Sequence, residues 1–286
     1  MTMATVLAGV QMDVTIGDRR ANRERMKARA RQARSEHGAT LIVFPECALG
    51  GYCFESRDEG LAVAETRDGD SCVELIETAR ELGVHLVYGY LERRGDRLHN
   101  ALNVVGPDGL IATYRKTHLP YLGIDRFVDP GDEPYRVVEA GELRLGLLIC
   151  YDGSFPEPSR VLALAGADLI LLPTNWPPGS GCTADFVPGA RALENAVYFA
   201  AVNRVGEERG FAFVGKSRLV DPNGCTLALA QEPPCEEILI ATIEPEFARQ
   251  KHLKRIPGKH EIHRFRDRRP DLYGPIVEPL KEGPIR

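Results

Sequence analysis

No stretch of the 286-residue chain is apolar enough to cross a membrane. A span needs about 20 apolar residues, and the longest nearly apolar run, Val161 to Pro173, is interrupted by Asp168. There is no basic excess: 36 Lys and Arg stand against 41 Asp and Glu, a formal net charge of −5. Nucleic-acid binders usually carry a basic face, so that class is disfavoured. The seven cysteines (47, 53, 72, 150, 182, 225, 235) are odd in number and form no CxxC pair. The amino terminus, MTMATVLAGVQMDV, lacks the basic start and long apolar stretch of a secretory signal. Free thiols in a reducing cytoplasm are therefore expected. Low-complexity segments and long linkers are also missing. With 43% hydrophobic and 27% charged residues, the chain is globular rather than disordered, and long enough to bury a core without disulfide or metal staples.

What is present is an alternation of strands and helices. Thr5–Gln11 reads as a short apolar strand, Asn22–Ser35 as a basic, Ala-rich helix opened by Asp18, and Leu41–Phe44 as a brief buried strand. Ser71–Leu82 is amphipathic, with Cys72, Leu75, Ile76, Ala79 and Leu82 on one face. Val84–Leu91, Asn100–Val105 and Leu110–Tyr114 form a meander reversed at Gly106-Pro107-Asp108-Gly109. A second meander, Phe213–Val220 and Thr226–Ala230, turns at Asp221-Pro222-Asn223-Gly224. The two turns lie about 115 residues apart and look alike, a hint of two related sheet halves. Between them lie strand Leu145–Ile149, helix Pro158–Ala165, strand Leu169–Leu172, helix Ala190–Val197 and strand Phe199–Asn203. Strands covered by helices imply a layered α/β architecture, and the meanders imply mixed sheets. From about Pro245 charge rises and Pro recurs, so a main domain over 1–245 and an extended tail over 246–286 are expected.

Three reactive side chains fall at strand ends. Glu46 follows Leu41-Ile-Val-Phe44 and the strand-breaking Pro45, at a sheet edge where crevices form in α/β folds. Taken alone it reads equally as a solvated loop glutamate. Cys150 ends a very apolar strand just before a helix start. It could be a nucleophile at a sharp turn, or a buried thiol packing as a small hydrophobe. Lys116 ends the first meander, where a lysine commonly snorkels to the surface. Together they form a chemical set. A carboxylate can take the proton of a thiol, and an ammonium can stabilise the oxyanion formed when a carbonyl is attacked.

At these residues the sequence resembles the nitrilase superfamily, the carbon–nitrogen hydrolases. The matching stretches are FPECALGGY (44–52), YRKTHLP (114–120) and CYDGSFPEPSR (150–160), with weaker matches from GADLILLPTNWP (166–177) to RRPDLYGPI (268–276). The resemblance implies a four-layer αββα sandwich of two mixed sheets flanked by helices. It implies a homodimer or higher homo-oligomer onto whose partner subunit the tail docks, and neither cofactor nor metal. In the implied chemistry Glu46 is base and acid in turn, Cys150 is the nucleophile, and Lys116 and the Tyr151 N–H hold the oxyanion. Burial and the lysine should push the Glu46 pKa in opposite directions. A second family glutamate precedes a Pro-Gly step. Before Pro130-Gly131 the nearest match is Asp125, which orients Lys116 or substrate, or only caps a turn.

Tyr52, Tyr121, Asn175 and Trp176 flank the strand ends as candidate pocket residues, and Arg126 is a candidate partner for a substrate carboxylate. Asp152 is expected to support the turn after Cys150, and Arg191, Glu194 and Asn195 to pack a helix. His260 and His263 have metal-like spacing but no further ligands nearby in sequence. The expected activity is hydrolysis of a small or linear carboxylic amide to acid and ammonia, with nitrile or N-carbamoyl amide hydrolysis as alternatives. A catalytically silent scaffold on the same fold is the non-enzymatic alternative.

Overall fold

Alternating apolar residues are buried by building two six-stranded sheets, in a computed structural model that describes residues 5–279. The first half of the chain supplies β1 (Thr5–Gln11), α1 (Arg19–His37), β2 (Leu41–Val43), α2 (Arg57–Val63), α3 (Asp70–Leu82), β3 (His85–Arg94), β4 (Arg97–Gly106) and β5 (Gly109–Arg115). The second supplies β6 (Val137–Ala140), β7 (Leu143–Leu147), α4 (Pro156–Leu164), β8 (Leu169–Pro173), α5 (Gly181–Asn195) and β9 (Tyr198–Val202). It continues through the short ladder β10 (Glu207–Glu208) and β11 (Phe211–Ala212) to β12 (Arg218–Val220), β13 (Thr226–Leu229), β14 (Glu237–Ile243) and α6 (Pro245–Arg249).

One sheet runs β14-β1-β2-β3-β4-β5 and the other β6-β7-β8-β9-β12-β13. Each has three successive parallel strands, β1-β2-β3 or β7-β8-β9. Each continues into an antiparallel meander, β3-β4-β5 or β9-β12-β13. Each is closed on its other side by one antiparallel strand, β14 or β6. The two similar turns join the equivalent hairpins, β4-β5 and β12-β13, so the internal likeness extends to whole sheets.

Helices α1 and α3 pack on the outer face of the first sheet, and α4 and α5 on that of the second. The inner faces meet: a Cβ on Gly9 of β1 would stand 3.2 Å from Val202 and 3.5 Å from Leu219 of the other sheet. The result is the four-layer αββα sandwich. Helix α1 is capped by Asp18, whose carboxylate accepts the Ala21 N–H (2.9 Å), and it ends at Gly38 in the left-handed conformation. Cys72, Leu75 and Ala79 of α3 are buried, with Ile76 and Leu82 packed beside them.

Two expectations about elements need correction. The strand expected from Phe213 begins only at Arg218, because Gly215 and Lys216 take positive φ (60° and 58°), which a strand does not accommodate. The helix expected from Ala190 starts at Gly181 and carries Pro188 inside it. Residues up to Arg249 form one compact unit and those from Gln250 a second. Within the second, β15 (His252–Ile256) pairs with β16 (His260–His263), so this segment is a hairpin rather than simply extended. In the first, Arg249 is held by Asp168 (2.9 Å). Among the described residues no helix is long and apolar enough to cross a membrane.

Gly89 of β3 lies beneath the turn that follows β2. Its N–H donates to the Pro45 carbonyl and its own carbonyl accepts the Leu49 N–H, both at 3.2 Å. A Cβ there would stand 2.3 Å from the Cys47 nitrogen and 2.7 Å from Glu46 Cα. Overpacking of this kind costs about 1–3 kcal/mol. Gly89→Ala is therefore expected to lower the unfolding free energy by that amount, read as a lower urea midpoint with an unchanged m-value.

Candidate active site

Each candidate side chain is delivered by a strand end. After β2 the chain turns sharply, with Cys47 at φ 49°, and Glu46 is carried into the interior with 1% of its surface exposed. At the end of β5 successive side chains diverge. Arg115 goes to Glu92 (2.5 and 2.7 Å) and Glu133 (2.7 Å), whereas Lys116 is fully buried. The Lys116 backbone is clamped from both sides: its N–H donates to Asn100 O (2.9 Å) and its carbonyl accepts the Gly131 N–H (2.7 Å). A Cβ on Gly131 would lie 2.3 Å from the Arg115 carbonyl oxygen, so only glycine permits the clamp. Beyond β7, Cys150 takes φ 46° and opens a short 3₁₀ turn. A non-glycine residue in that conformation is strained.

The heads meet in one buried cluster. Lys116 Nζ donates to Glu46 Oε1 (2.7 Å) and to Asp125 Oδ2. Asp125 arrives on the 3₁₀ turn Gly123–Arg126 and also accepts the Tyr52 hydroxyl (2.7 Å). Asn100 Nδ2 donates to both carboxylates, Glu46 Oε1 at 2.7 Å and Asp125 Oδ1 at 2.9 Å. Glu46 Oε2 is buried without a partner among the described residues.

Electrostatics ties the thiol to this cluster. Burial raises the Glu46 pKa above the ordinary carboxyl range; Lys116 opposes the rise and Asp125 reinforces it. Burial disfavours charge on Lys116, but Asp125 and Glu46 outweigh it and hold the ammonium well above the ordinary lysine value. Burial pushes the Cys150 thiol up to about 12, with the Glu46 charge adding and Lys116 opposing. The Thr174 side chain and the Asn175 backbone N–H also favour its thiolate.

Asp152 braces the elbow. One of its oxygens accepts the Ile149 N–H (3.0 Å) and the Tyr114 hydroxyl (2.8 Å). The other accepts the Thr117 hydroxyl (2.9 Å) and the His118 N–H (3.0 Å). One carboxylate thus binds the turn of Cys150 to the segment that carries Lys116.

The remaining candidates divide into two groups. Tyr52, Asn175 and Trp176 are buried, and both polar atoms of the Asn175 carboxamide lack a partner among the described residues. Tyr151 (39% exposed) and Tyr121 (73% exposed) lie at the surface. Arg126 is also exposed; its guanidinium donates to the Gly123 and Phe54 carbonyls (3.0 and 3.1 Å) and stacks against Tyr121 and Phe127. Helix α5 uses Arg191 on the Gly153 and Ser154 carbonyls. Among the described residues no group of three or more His, Cys, Asp and Glu is placed to hold a metal.

Sequence reasoning missed Asn100, although an asparagine buried mid-strand in LHNALNVV is a signal, since strands rarely keep unpartnered amides. It also missed Glu208, which accepts the Tyr52 and Cys53 N–H groups (both 2.9 Å). Glu208 is itself paired with the buried Arg204.

Comparison with known proteins gives the family. The family profile described as carbon-nitrogen hydrolase matches residues 6–252. A protein of Pyrococcus abyssi named nitrilase is 40% identical over 271 residues, covering 93% of this chain and 98% of the relative. The crystal structure of a carbon-nitrogen hydrolase from Helicobacter pylori G27 superposes with a TM-score of 0.86 at 25% identity, covering 96% of this chain and 99% of the other. An amidase variant from Nesterenkonia sp. AN1, showing covalent addition of the acetamide moiety of fluoroacetamide at its active site cysteine, gives a TM-score of 0.73 at 25% identity over 86% and 94% of the two chains. The chain belongs to the carbon–nitrogen hydrolases of the nitrilase superfamily, enzymes that hydrolyse carbon–nitrogen bonds.

Proposed function

We propose that this enzyme is a cysteine-dependent amidase that converts a small or linear carboxylic amide to acid and ammonia through a thioester. The observation that carries the reading is the buried cluster in which a carboxyl, an ammonium and a thiol at a left-handed turn share one electrostatic environment. The covalent adduct at the cysteine of the Nesterenkonia amidase supports it.

The protonation states assign the roles. Lys116 stays cationic, so it cannot serve as the base. Two of its three N–H donors are engaged, which leaves one for an oxyanion. The Cys150 thiol is protonated at rest, so its proton must leave as sulfur attacks. Glu46 takes that proton, the S–C bond forms, and the carbonyl electron pair moves onto oxygen beside Lys116 and the Tyr151 N–H. Protonated Glu46 then gives its proton to the departing nitrogen, and ammonia leaves. Water, giving a proton to Glu46, attacks the thioester. The C–S bond breaks, acid is released, and the proton returns to sulfur. Asp125 holds Lys116 in place. Asn175 and Trp176, with Tyr52 behind them, shape the acyl site, and Tyr121 and Arg126 stand at its rim.

A nitrile substrate is the second reading, favoured by the 40% identity to the relative named nitrilase. We also propose that residues 246–286 dock on a partner subunit of a homo-oligomer, because Leu272, Ile276 and Val277 are each more than half exposed within their own unit. A cytoplasmic location completes the proposal, in keeping with seven free thiols.

Ammonia release from a panel of amides and nitriles tests the reading. Cys150→Ala is expected to abolish turnover, and Glu46→Gln to slow it by about 10²–10⁴-fold, the usual worth of a general base. Intact mass of trapped enzyme should show one acyl group, absent from Cys150→Ala; undiminished turnover in that variant would refute the nucleophile. Because Glu46 must be ionised to accept a proton and burial raises its pKa, kcat/KM should fall with acid at a pH above the ordinary glutamate value. Glu46→Gln should remove that limb of the profile. Lys116→Met strands two buried carboxyl groups, and removing one partner of a buried pair costs about 3–5 kcal/mol. A drop of that order is expected in denaturant unfolding, together with loss of turnover.

A further inference from the structure

The two oxygens of Glu46 are not equivalent. Oε1 accepts from Lys116 Nζ and from Asn100 Nδ2, both at 2.7 Å. Oε2 is buried with no partner among the described residues. The orientation of the Asn100 amide follows from its neighbours: the NH₂ faces the oxygens of Glu46 and Asp125, and Oδ1 accepts the Cys47 thiol (3.5 Å). The Asn100 carbonyl also accepts the Lys116 N–H (2.9 Å). One β4 residue therefore touches Glu46, Asp125 and the strand end that carries Lys116.

We infer that Asn100 is a positioning residue that commits Glu46 Oε1 to anchoring and leaves Oε2 as the oxygen that exchanges the proton with Cys150. The inference rests on the reading of Glu46 as the base. A carboxylate gripped at one oxygen by two donors cannot rotate about its last side-chain bond without breaking both. Its second oxygen, unsolvated and without a donor, is the atom left to bind a proton. In the transfer the S–H bond breaks, the Oε2–H bond forms, and the electron pair stays on sulfur. Without the Asn100 amide, Glu46 is held by Lys116 alone and Asp125 Oδ1 loses its donor.

The charged and titratable groups facing Glu46 are Lys116 at the end of β5, Asp125 on its 3₁₀ turn, Cys150 beyond β7, Cys47 beside it in the chain and Tyr52 after the same turn. Lys116 and the Asn100 N–H both favour the ionised carboxylate, while Asp125 and burial disfavour it. Loss of the Asn100 donor therefore raises the Glu46 pKa, and whatever needs ionised Glu46 moves to higher pH.

The test is the rate at which iodoacetamide alkylates Cys150, followed on its peptide by mass spectrometry from pH 4 to about 9, a range bracketing carboxyl titration. Wild type, Glu46→Gln, Asn100→Leu and Asn100→Ala are compared. The wild-type profile is expected to show an inflection that Glu46→Gln removes. Both Asn100 variants should keep the inflection but move it up by about half a pH unit or more. They should also lower kcat for ammonia release by about tenfold or more, with KM little changed. A wild-type profile that survives Glu46→Gln overturns the base assignment itself. An inflection lost in Glu46→Gln but held at the wild-type pH in the Asn100 variants overturns only the role of Asn100. Asn100→Ala adds no charge and no bulk and keeps the backbone bond to Lys116, so it decides the question if Asn100→Leu does not fold.

Discussion

The site depends on one buried cation shared by two carboxyl groups. Lys116 Nζ lies against both Glu46 and Asp125, and the side chains of all three are fully buried. A lone buried ammonium would shed its proton, and a lone buried carboxylate would take one up. The shared contact changes both outcomes unequally. Asp125 and Glu46 together hold Lys116 in the charged form against burial, whereas burial, reinforced by Asp125, raises the Glu46 pKa despite the opposing Lys116 charge. In the proposed reaction, that pairing supplies a lasting cation beside a carboxyl able to change its protonation state.

Such a contact survives only where the backbone is rigid, and the surroundings supply that rigidity by close approach. Gly89 lets the Glu46 turn lie on β3, Gly131 lets its N–H reach the Lys116 carbonyl, and Asn100 holds the Lys116 N–H from the other side. Asp152 joins the Cys150 elbow to residues 114–118. Glu208 fixes the backbone of Tyr52, whose hydroxyl reaches Asp125. Lys116 is thus held at both its backbone and its head, and the hydrogen bonds of Asn100, Asp125 and Asp152 tie its segment to those of Glu46 and Cys150.

How much of this was legible in the sequence varied with the range of the interaction. Strand ends were legible because apolar runs stop at punctuation: Pro45 after Phe44, and Cys150-Tyr151-Asp152 after Leu145–Ile149. The likeness of the 106–109 and 221–224 turns pointed to paired sheets, and the sheets do share three parallel strands running into an antiparallel meander, while the flanking strand differs: β14 from the far end of the chain in one, β6 directly before β7 in the other. Asn100 was not legible as part of the site. Its partners lie 54 and 25 residues away, and period-two alternation along β4 says only that it faces inward. The Phe213 to Ser217 stretch was misread because its composition is strand-like, while two left-handed residues that tertiary contacts enforce break the ladder there. Arg126 sits next to Asp125 in sequence but turns outward, as neighbours on a 3₁₀ turn can, and Tyr121, ahead of that turn, is exposed as well.

The placement of the site also explains why a sandwich of two sheets is needed. Glu46 follows a strand of one sheet, and Lys116 follows its edge strand; Cys150 and Asn175 follow strands of the other. Neither sheet alone carries base, cation and thiol. The thiol, raised to about 12 by burial, is inert unless a proton acceptor lies within reach, and the only carboxyl with a free buried oxygen belongs, among the described residues, to Glu46 on the opposite sheet. Burial therefore does two things at once. It raises the thiol pKa, and, with thiol and carboxyl following strands of different sheets, it makes their meeting depend on how the two halves stack. In the proposed reaction, chemistry begins only when a carbonyl is positioned so that proton transfer to Glu46 and attack by sulfur occur together.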